Sequence, residues 1–333
     1  MNKFEVFKKE ISSEYFNEIP IHLSPSTLYR SRCEFTFSNE RYVMYKGNKK
    51  VYMKSYSVAS SPIKKIMPII LNEINNSKKV KERLFQVNFR SNNRNDLLIT
   101  LIYHKEITES LILKVKEISK NLKISILVRS KNFVHPTNNY YLEETIDNIR
   151  LFQTDLSFYQ PNKYLLNMMI KNVKSLIKKS EDLLELYCGI GTFTLNLTKN
   201  FNNILATENN RQSIKCLEKG IKENHIKNIY RARLSAEEVI EAFCGKKFYR
   251  MKEIDLKKMN FTHVLVDPPR SGLSDNVIDF ISRFSNIVYI SCNPETYIKD
   301  IKKLKKHNIK KLEIFDQFPN TKHMELVSLL TTN

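Results

Sequence analysis

The spacing of apolar residues changes near residue 150. Before that point, short alternating runs are mixed with two stretches of helical period. Residues 32–45 and 51–56 flank Gly47-Asn48 and read as a β-hairpin, residues 63–74 as an amphipathic helix, and residues 84–89 and 97–104 as further strands. Beyond that point, an amphipathic helix at 164–178 opens a regular series of apolar blocks. Strands are expected at 182–187, 204–207, 229–233, 263–267, 287–291, 311–315 and 325–330, with helices between most of them. This alternation calls for a mainly parallel seven-stranded sheet covered by helices on both faces, preceded by an α+β module. The expected division is therefore a first domain at 1–150 and a second at 151–333. In open sheets of this class, ligands sit at the carboxyl ends of the strands, where the strand order reverses.

Composition narrows the range of functions. The 333 residues, 41% of them hydrophobic, suffice for two compact cores. No charged-then-apolar leader is visible, and no apolar run approaches the ~20 residues needed to span a bilayer, so a cytoplasmic location is expected. The formal net charge of +20 suggests a polyanionic partner. Lys far outnumbers Arg, however, and Asn and Ile are abundant, a bias that an AT-rich genome also produces. Around Arg30, Arg32, Arg41, Lys49, Lys50 and Lys54 stand Tyr29, Phe35, Tyr42 and Tyr45, a mixture suited to phosphates and stacked bases, or equally to a solvated face over an ordinary core. The five cysteines (Cys33, Cys188, Cys216, Cys244 and Cys292) are scattered and contain no Cys-x-x-Cys pair, which suits neither a disulfide framework nor a metal site.

Four strand ends carry candidate chemistry. After the strand at 182–187, Gly189 and Gly191 allow a backbone to approach a ligand, with a helix N-terminus expected behind them. Glu208 stands at the end of the next strand, where a carboxylate can accept from both hydroxyls of a ribose. The third glycine of a dinucleotide fingerprint is replaced by Thr194, which favours S-adenosylmethionine over NAD. Asp267-Pro268-Pro269-Arg270 follows the apolar run ending at Val266 and fixes a carboxylate at the same edge. Enzymes that methylate exocyclic amines commonly place an aromatic ring where Arg270 stands.

Cys292 follows a fourth apolar strand and precedes Asn293-Pro294, which forces a turn into a helix. A thiolate there could add to C6 of a uracil and make C5 nucleophilic. The helix terminus and basic surroundings are expected to lower its pKa, although a packing role is also open to a cysteine at that position. Glu325, at the end of the polar segment Phe318-Pro319-Asn320-Thr321-Lys322-His323-Met324, is the candidate base for the C5 proton, with His323 as the alternative.

Phe158-Tyr159-Gln160-Pro161-Asn162, residues 182–194, Asp267 to Leu273, Ser291 to Thr296 and residues 316–325 together resemble the RNA uracil-5-methyltransferase family. Tyr29 to Phe35 and Leu84-Phe85-Gln86 are similar to its tRNA branch, so the resemblance covers nearly the whole chain. It implies a Rossmann-like class I methyltransferase domain behind an N-terminal α+β RNA-binding domain. It also implies S-adenosylmethionine as methyl donor, with no metal, and the T-loop uridine of tRNA as target, with tmRNA as a further candidate substrate for a monomeric enzyme. By the same resemblance, Gln160, Tyr187, Gly189, Gly191, Thr192, Glu208 and Asp267 contact the cofactor, Cys292 is the nucleophile and Glu325 the proton acceptor. Thr192 departs from the asparagine of a bacterial relative. Arg30, Arg32 and Phe85 are the candidates for RNA contact, the arginines for phosphates or base edges and Phe85 for stacking, against a core role for Phe85 and local pairing of the arginines with carboxylates such as Glu34. The alternatives are a ribosomal-RNA uracil-5-methyltransferase, expected to carry an additional N-terminal barrel or four-cysteine site, and an RNA-folding or RNA-binding protein, expected to lack Cys292 or Glu325.

Overall fold

A computed structural model describes residues 2–319 and 321–332, so Asn320, in the polar segment before Glu325, and the terminal residues of the two expected domains lie outside the described residues. Two large sheets organise the chain. The second half builds a sheet in the order Ile21–His22, His307–Phe315, Glu325–Thr332, Asn286–Ser291, Phe261–Val266, Ser180–Leu186, Phe201–Thr207, Ile229–Ala232. Neighbours run parallel except for Glu325–Thr332, which is antiparallel to both strands beside it. The chain first pairs Ser180–Leu186 with Phe201–Thr207, then crosses to place Phe261–Val266 on its other side. That reversal leaves a crevice at the carboxyl ends of Ser180–Leu186 and Phe261–Val266.

The seven expected strands are all present, and an eighth joins them. Ile21–His22 is too short to leave a periodic signal, yet it pairs in parallel with Ile314 and Phe315. Just before it, Asn2 caps the helix Lys3–Ile11 by accepting from the backbone N–H groups of Phe4 and Glu5. Phe7 and Ile11 of that helix are buried in the core of the second half. Residues 3–22 therefore pack across the division expected at residue 150.

The first half forms a sheet in the order Lys49–Met53, Arg41–Lys46, Arg32–Ser38, Leu84–Ser91, Leu97–Tyr103, Ser125–Ser130, Phe133–Pro136. The long hairpin arm expected at 32–45 is two strands. Asn39 and Glu40 both adopt positive φ, 50° and 56°, the geometry of a two-residue hairpin turn, and fold Arg32–Ser38 back on Arg41–Lys46. Helices Ser61–Asn75 and Glu109–Leu122 bury Ile63, Met67, Ile70, Leu111 and Val115 against one face, on Phe35, Phe89 and Val128. Side chains alternate along a strand, so Arg90 and Arg129 emerge from the opposite face.

Those two arginines fasten the connection between the halves. Arg90, 3% exposed, donates to Gln153 Oε1 at 2.9 Å and to the carbonyls of Asp155 and Ser157 at 3.1 and 2.6 Å. Arg129 donates twice to the Asp155 carboxylate, at 2.6 and 3.0 Å. The segment fixed in this way leads directly to Phe158 and Gln160. Truncating one partner of a buried ion pair strands the other without compensation, so Asp155→Ala is expected to lower unfolding stability by about 3 kcal/mol in urea denaturation. A loss under about 1 kcal/mol would show that the joint does not depend on this pair.

Candidate active site

Strand geometry brings three reactive side chains together. Asp267 follows Phe261–Val266 and Cys292 follows Asn286–Ser291, two parallel neighbours, so both emerge at the same sheet edge. Glu325 arrives from the other direction. Its strand is antiparallel and pairs Leu326 with Ser291, which brings the first residue of one strand, Glu325, beside Cys292, just past the end of the other. Cys292, Glu325, Asp267, Gln160, Tyr187, Gly189, Thr192 and Glu208 all line one cavity of about 470 Å³.

Gly191 does not line it. A Cβ there would run into Leu217, so the missing side chain is required for packing between the turn and the helix Arg211–Glu223. The turn itself is sharp, with Tyr187, Gly189 and Gly191 at φ of 60°, 56° and 84°. The helix expected behind it is only a short 3-10 turn, Thr194–Asn196. The Gly189 N–H donates to Glu208 Oε2 at 3.1 Å, and the Asn210 N–H to Glu208 Oε1 at 2.7 Å, so this carboxylate is held against the glycine turn.

The cavity is rich in carboxylates held away from water. Burial raises Glu325 well above the usual carboxylate range, with Asp267 pushing the same way and Arg270 opposing. Burial and then Glu208 raise Asp267 to about 7. Glu185, an acid inside the apolar run Leu183-Leu184-Glu185-Leu186, also lines the cavity, and burial raises it to about 8. Sequence reasoning passed over Glu185, although a carboxylate inside a fully buried strand was the available signal. The expectation for Cys292 is reversed. Burial, then Glu325 and Asp267, push its thiol up to about 12 against the pull of Arg270. The nearby helix Pro294–Ile301 gives little help, because the side chain of its cap, Asn293, already accepts from the Glu295 N–H. His323 does not line the cavity. Its ring meets Phe318 edge-on at 6.2 Å, and burial lowers its pKa.

The RNA candidates lie beside this cavity or farther out. Arg30 and Arg32 line a second cavity of about 240 Å³, which shares Phe158, Arg270 and Phe318 with the first. Arg32 also pairs with Glu34 at 2.6 Å, the local pairing weighed above. Phe85 is 39% exposed rather than in the core; a bulge between Leu84 and Gln86 turns it outward, where it stacks on His104 with centroids 4.1 Å apart. Sequence reasoning did not select His104.

Comparison with known proteins places the chain in a family. The family model described as tRNA (Uracil-5-)-methyltransferase matches residues 1–333. Relatives of the chain include proteins named tRNA/tmRNA (uracil-C(5))-methyltransferase. One, from Campylobacter lari, is 41% identical over 97% of this chain and 96% of its own length; another, from Saccharophagus degradans, is 38% identical over 99% and 94%. Among solved structures, the Pyrococcus abyssi tRNA (uracil-54, C5)-methyltransferase in complex with S-adenosyl-L-homocysteine superposes with a TM-score of 0.78 at 21% identity, covering 99% of this chain and 83% of that one. With its family model spanning the full sequence and relatives this close over almost their entire lengths, the chain belongs to the tRNA (uracil-5-)-methyltransferase family.

Proposed function

We propose that the protein methylates carbon 5 of the T-loop uridine of tRNA, with Cys292 as covalent nucleophile, Glu325 as proton acceptor and S-adenosylmethionine as methyl donor. The observation that carries this reading is the register that sets Cys292 beside Glu325 in the wall of the same cavity as Asp267. Since the relatives are named for both tRNA and tmRNA, tmRNA is a second substrate on this reading.

The cavity suits that donor. Among the described residues Gln160 Oε1 is a buried acceptor without a partner, and the raised pKa values of Asp267 and Glu185 mark a pocket that favours a cation with N–H donors. Glu208 and the glycine turn suit the ribose, with Gln160, Tyr187, Thr192 and Asp267 around the remainder. When bound, S-adenosylmethionine supplies an electrophilic methyl group.

The protein's own groups perform the rest. Cys292 first gives up its thiol proton to solvent, a loss that Arg270 and a cationic donor in the cavity would favour against the burial that raises it. The thiolate then bonds to C6 of the uracil, and the electron pair of the C5–C6 bond moves into the C4 carbonyl as an enolate. That charge returns through C5, which takes the methyl. Glu325 then removes the C5 proton, the ring double bond reforms and the Cys292 sulfur leaves as thiolate. To take the proton Glu325 must be ionised: Arg270 already opposes the burial that raises it, and a cationic donor in the same cavity would pull it down further, after which the desolvated carboxylate is a stronger base than one in water.

On a stem-loop copying the T-arm, the wild-type protein should add one methyl per molecule, and Cys292→Ala should fall below roughly 1% of that rate with S-adenosylhomocysteine binding unchanged. Substantial methylation by Cys292→Ala, or an inert stem-loop alongside reactive ribosomal-RNA fragments, would overturn the reading. Glu325→Gln keeps the shape of the side chain but cannot take the proton. Turnover should fall about 100-fold or more, and a methylated protein–RNA adduct should build up on denaturing gels with ordinary uridine. A modest loss with no adduct would transfer the role to another base.

A further inference from the structure

The reaction as proposed needs Glu325 at a fixed place, yet Glu325 opens a strand whose preceding described residues, 316–319 and 321–324, lie outside helix and strand; they are the two limbs of the loop that joins it to His307–Phe315. The strand pairing holds only the base of that loop, where Phe315 opposes Glu325. A residue far away in sequence holds its two limbs. Lys3, in the first turn of the helix Lys3–Ile11, extends its ammonium into the loop and donates to Asp316 Oδ1 at 2.6 Å, to the Phe318 carbonyl at 3.2 Å and to the His323 carbonyl at 2.8 Å. A lysine ammonium has three N–H donors, and all three are used.

This is not an ordinary surface ion pair. The side chains of Lys3 and Asp316 are only 16% and 10% exposed, and two of the three bonds go to backbone on opposite limbs of the loop. Other contacts secure the limb that follows His307–Phe315: the Asp316 N–H donates to the His22 carbonyl at 2.8 Å, and Asn162 Nδ2 donates to the Gln317 carbonyl at 3.2 Å. The limb leading to Glu325 has further ties, but they are local, exposed or apolar: Thr321 donates to the Phe318 carbonyl within the loop, Lys322 pairs with Glu295 at 3.7 Å in solvent, and Met324 is buried in the core, whereas the Lys3 bond to His323 is a part-buried, charge-assisted tie to a distant helix. The same loop presents Phe318, which lines both cavities.

We propose that Lys3 is a positioning residue for Glu325: its ammonium ties both limbs of the 316–324 loop and so fixes the carboxylate that takes the C5 proton. The inference rests on the proton-acceptor role of Glu325. The N-terminal helix thereby becomes part of the elimination step although it does not line the cavity. Replacing Lys3 by Met keeps the length of the side chain and removes every donor.

The test compares Lys3→Met with Glu325→Gln and wild type in a rapid-quench assay on the T-arm stem-loop with ordinary uridine. For Lys3→Met, kcat should fall about tenfold or more while KM for the RNA stays within about twofold, and the methylated covalent adduct should accumulate, since adduct formation at Cys292 is intact and proton removal is slow. Asp316→Asn, which weakens the same tie with less disturbance, should show the same adduct at a lower level and serves if Lys3→Met folds poorly. If Glu325→Gln accumulates adduct and neither Lys3→Met nor Asp316→Asn does, the positioning role is wrong and the assignment of Glu325 stands. If Glu325→Gln itself accumulates none, both fail. A lower unfolding midpoint with normal kcat per folded molecule would reduce Lys3 to a structural tie and also overturn the proposal.

Discussion

Ser291 pairs with Leu326 across the antiparallel contact between Asn286–Ser291 and Glu325–Thr332, and the site depends on that register. In a wholly parallel sheet, every strand would bring its last residues to the active edge. The reversed final strand brings its first residue there instead, which is how Cys292 and Glu325, with a whole helix and a whole strand between them in sequence, come to share one cavity wall. A slip of one residue would turn Glu325 to the other face of the sheet, so the apolar pattern on both sides of Glu325–Thr332 also fixes the chemistry. Asp267 is placed by the neighbouring parallel strand under the same constraint.

Electrostatics then follow from burial. Carboxylates at the ends of apolar strands are cut off from water, and each makes the next harder to ionise. Glu325, Asp267 and Glu185 are all raised, and the Cys292 thiol is carried upward with them. An arrangement that disfavours negative charge when empty favours a positively charged ligand when filled. Arg270, exposed at the mouth, is the opposing charge that acts on both Glu325 and Cys292. The aspartate, the cysteine and the glutamate are thus linked by charge as well as by strand order.

Much of this was legible in the sequence because apolar blocks with abrupt ends announce both a buried parallel strand and what stands at its tip. Asp267, Cys292 and Glu208 all sit at such ends. What escaped had weaker signals. Ile21–His22 is too short for periodicity, and the turn at Asn39-Glu40 lacks the glycine that usually marks a hairpin. Gly191 reads in sequence as ligand approach, and the packing demand that Leu217 places on it is visible only once the helix is packed. The thiol of Cys292 was expected to be acidic from its position before a helix, whereas the carboxylates facing it come from other strands and the helix donor it was credited with is already taken by Asn293. Lys3 carried no signal, since its partners lie at the far end of the chain.

The central claim, that Cys292 and Glu325 act on one uracil from a shared wall, is tested most directly by a crystal structure of the protein incubated with S-adenosylmethionine and a T-arm stem-loop bearing 5-fluorouridine at the target. Fluorine cannot leave as a proton, so the reaction stalls after methyl transfer. The account predicts continuous density from the Cys292 sulfur to C6 of a methylated ring lifted out of its loop, with the Glu325 carboxylate facing the fluorine on C5. A bond from any other residue to the ring, or a ring joined to Cys292 with Glu325 turned away from C5, would contradict it.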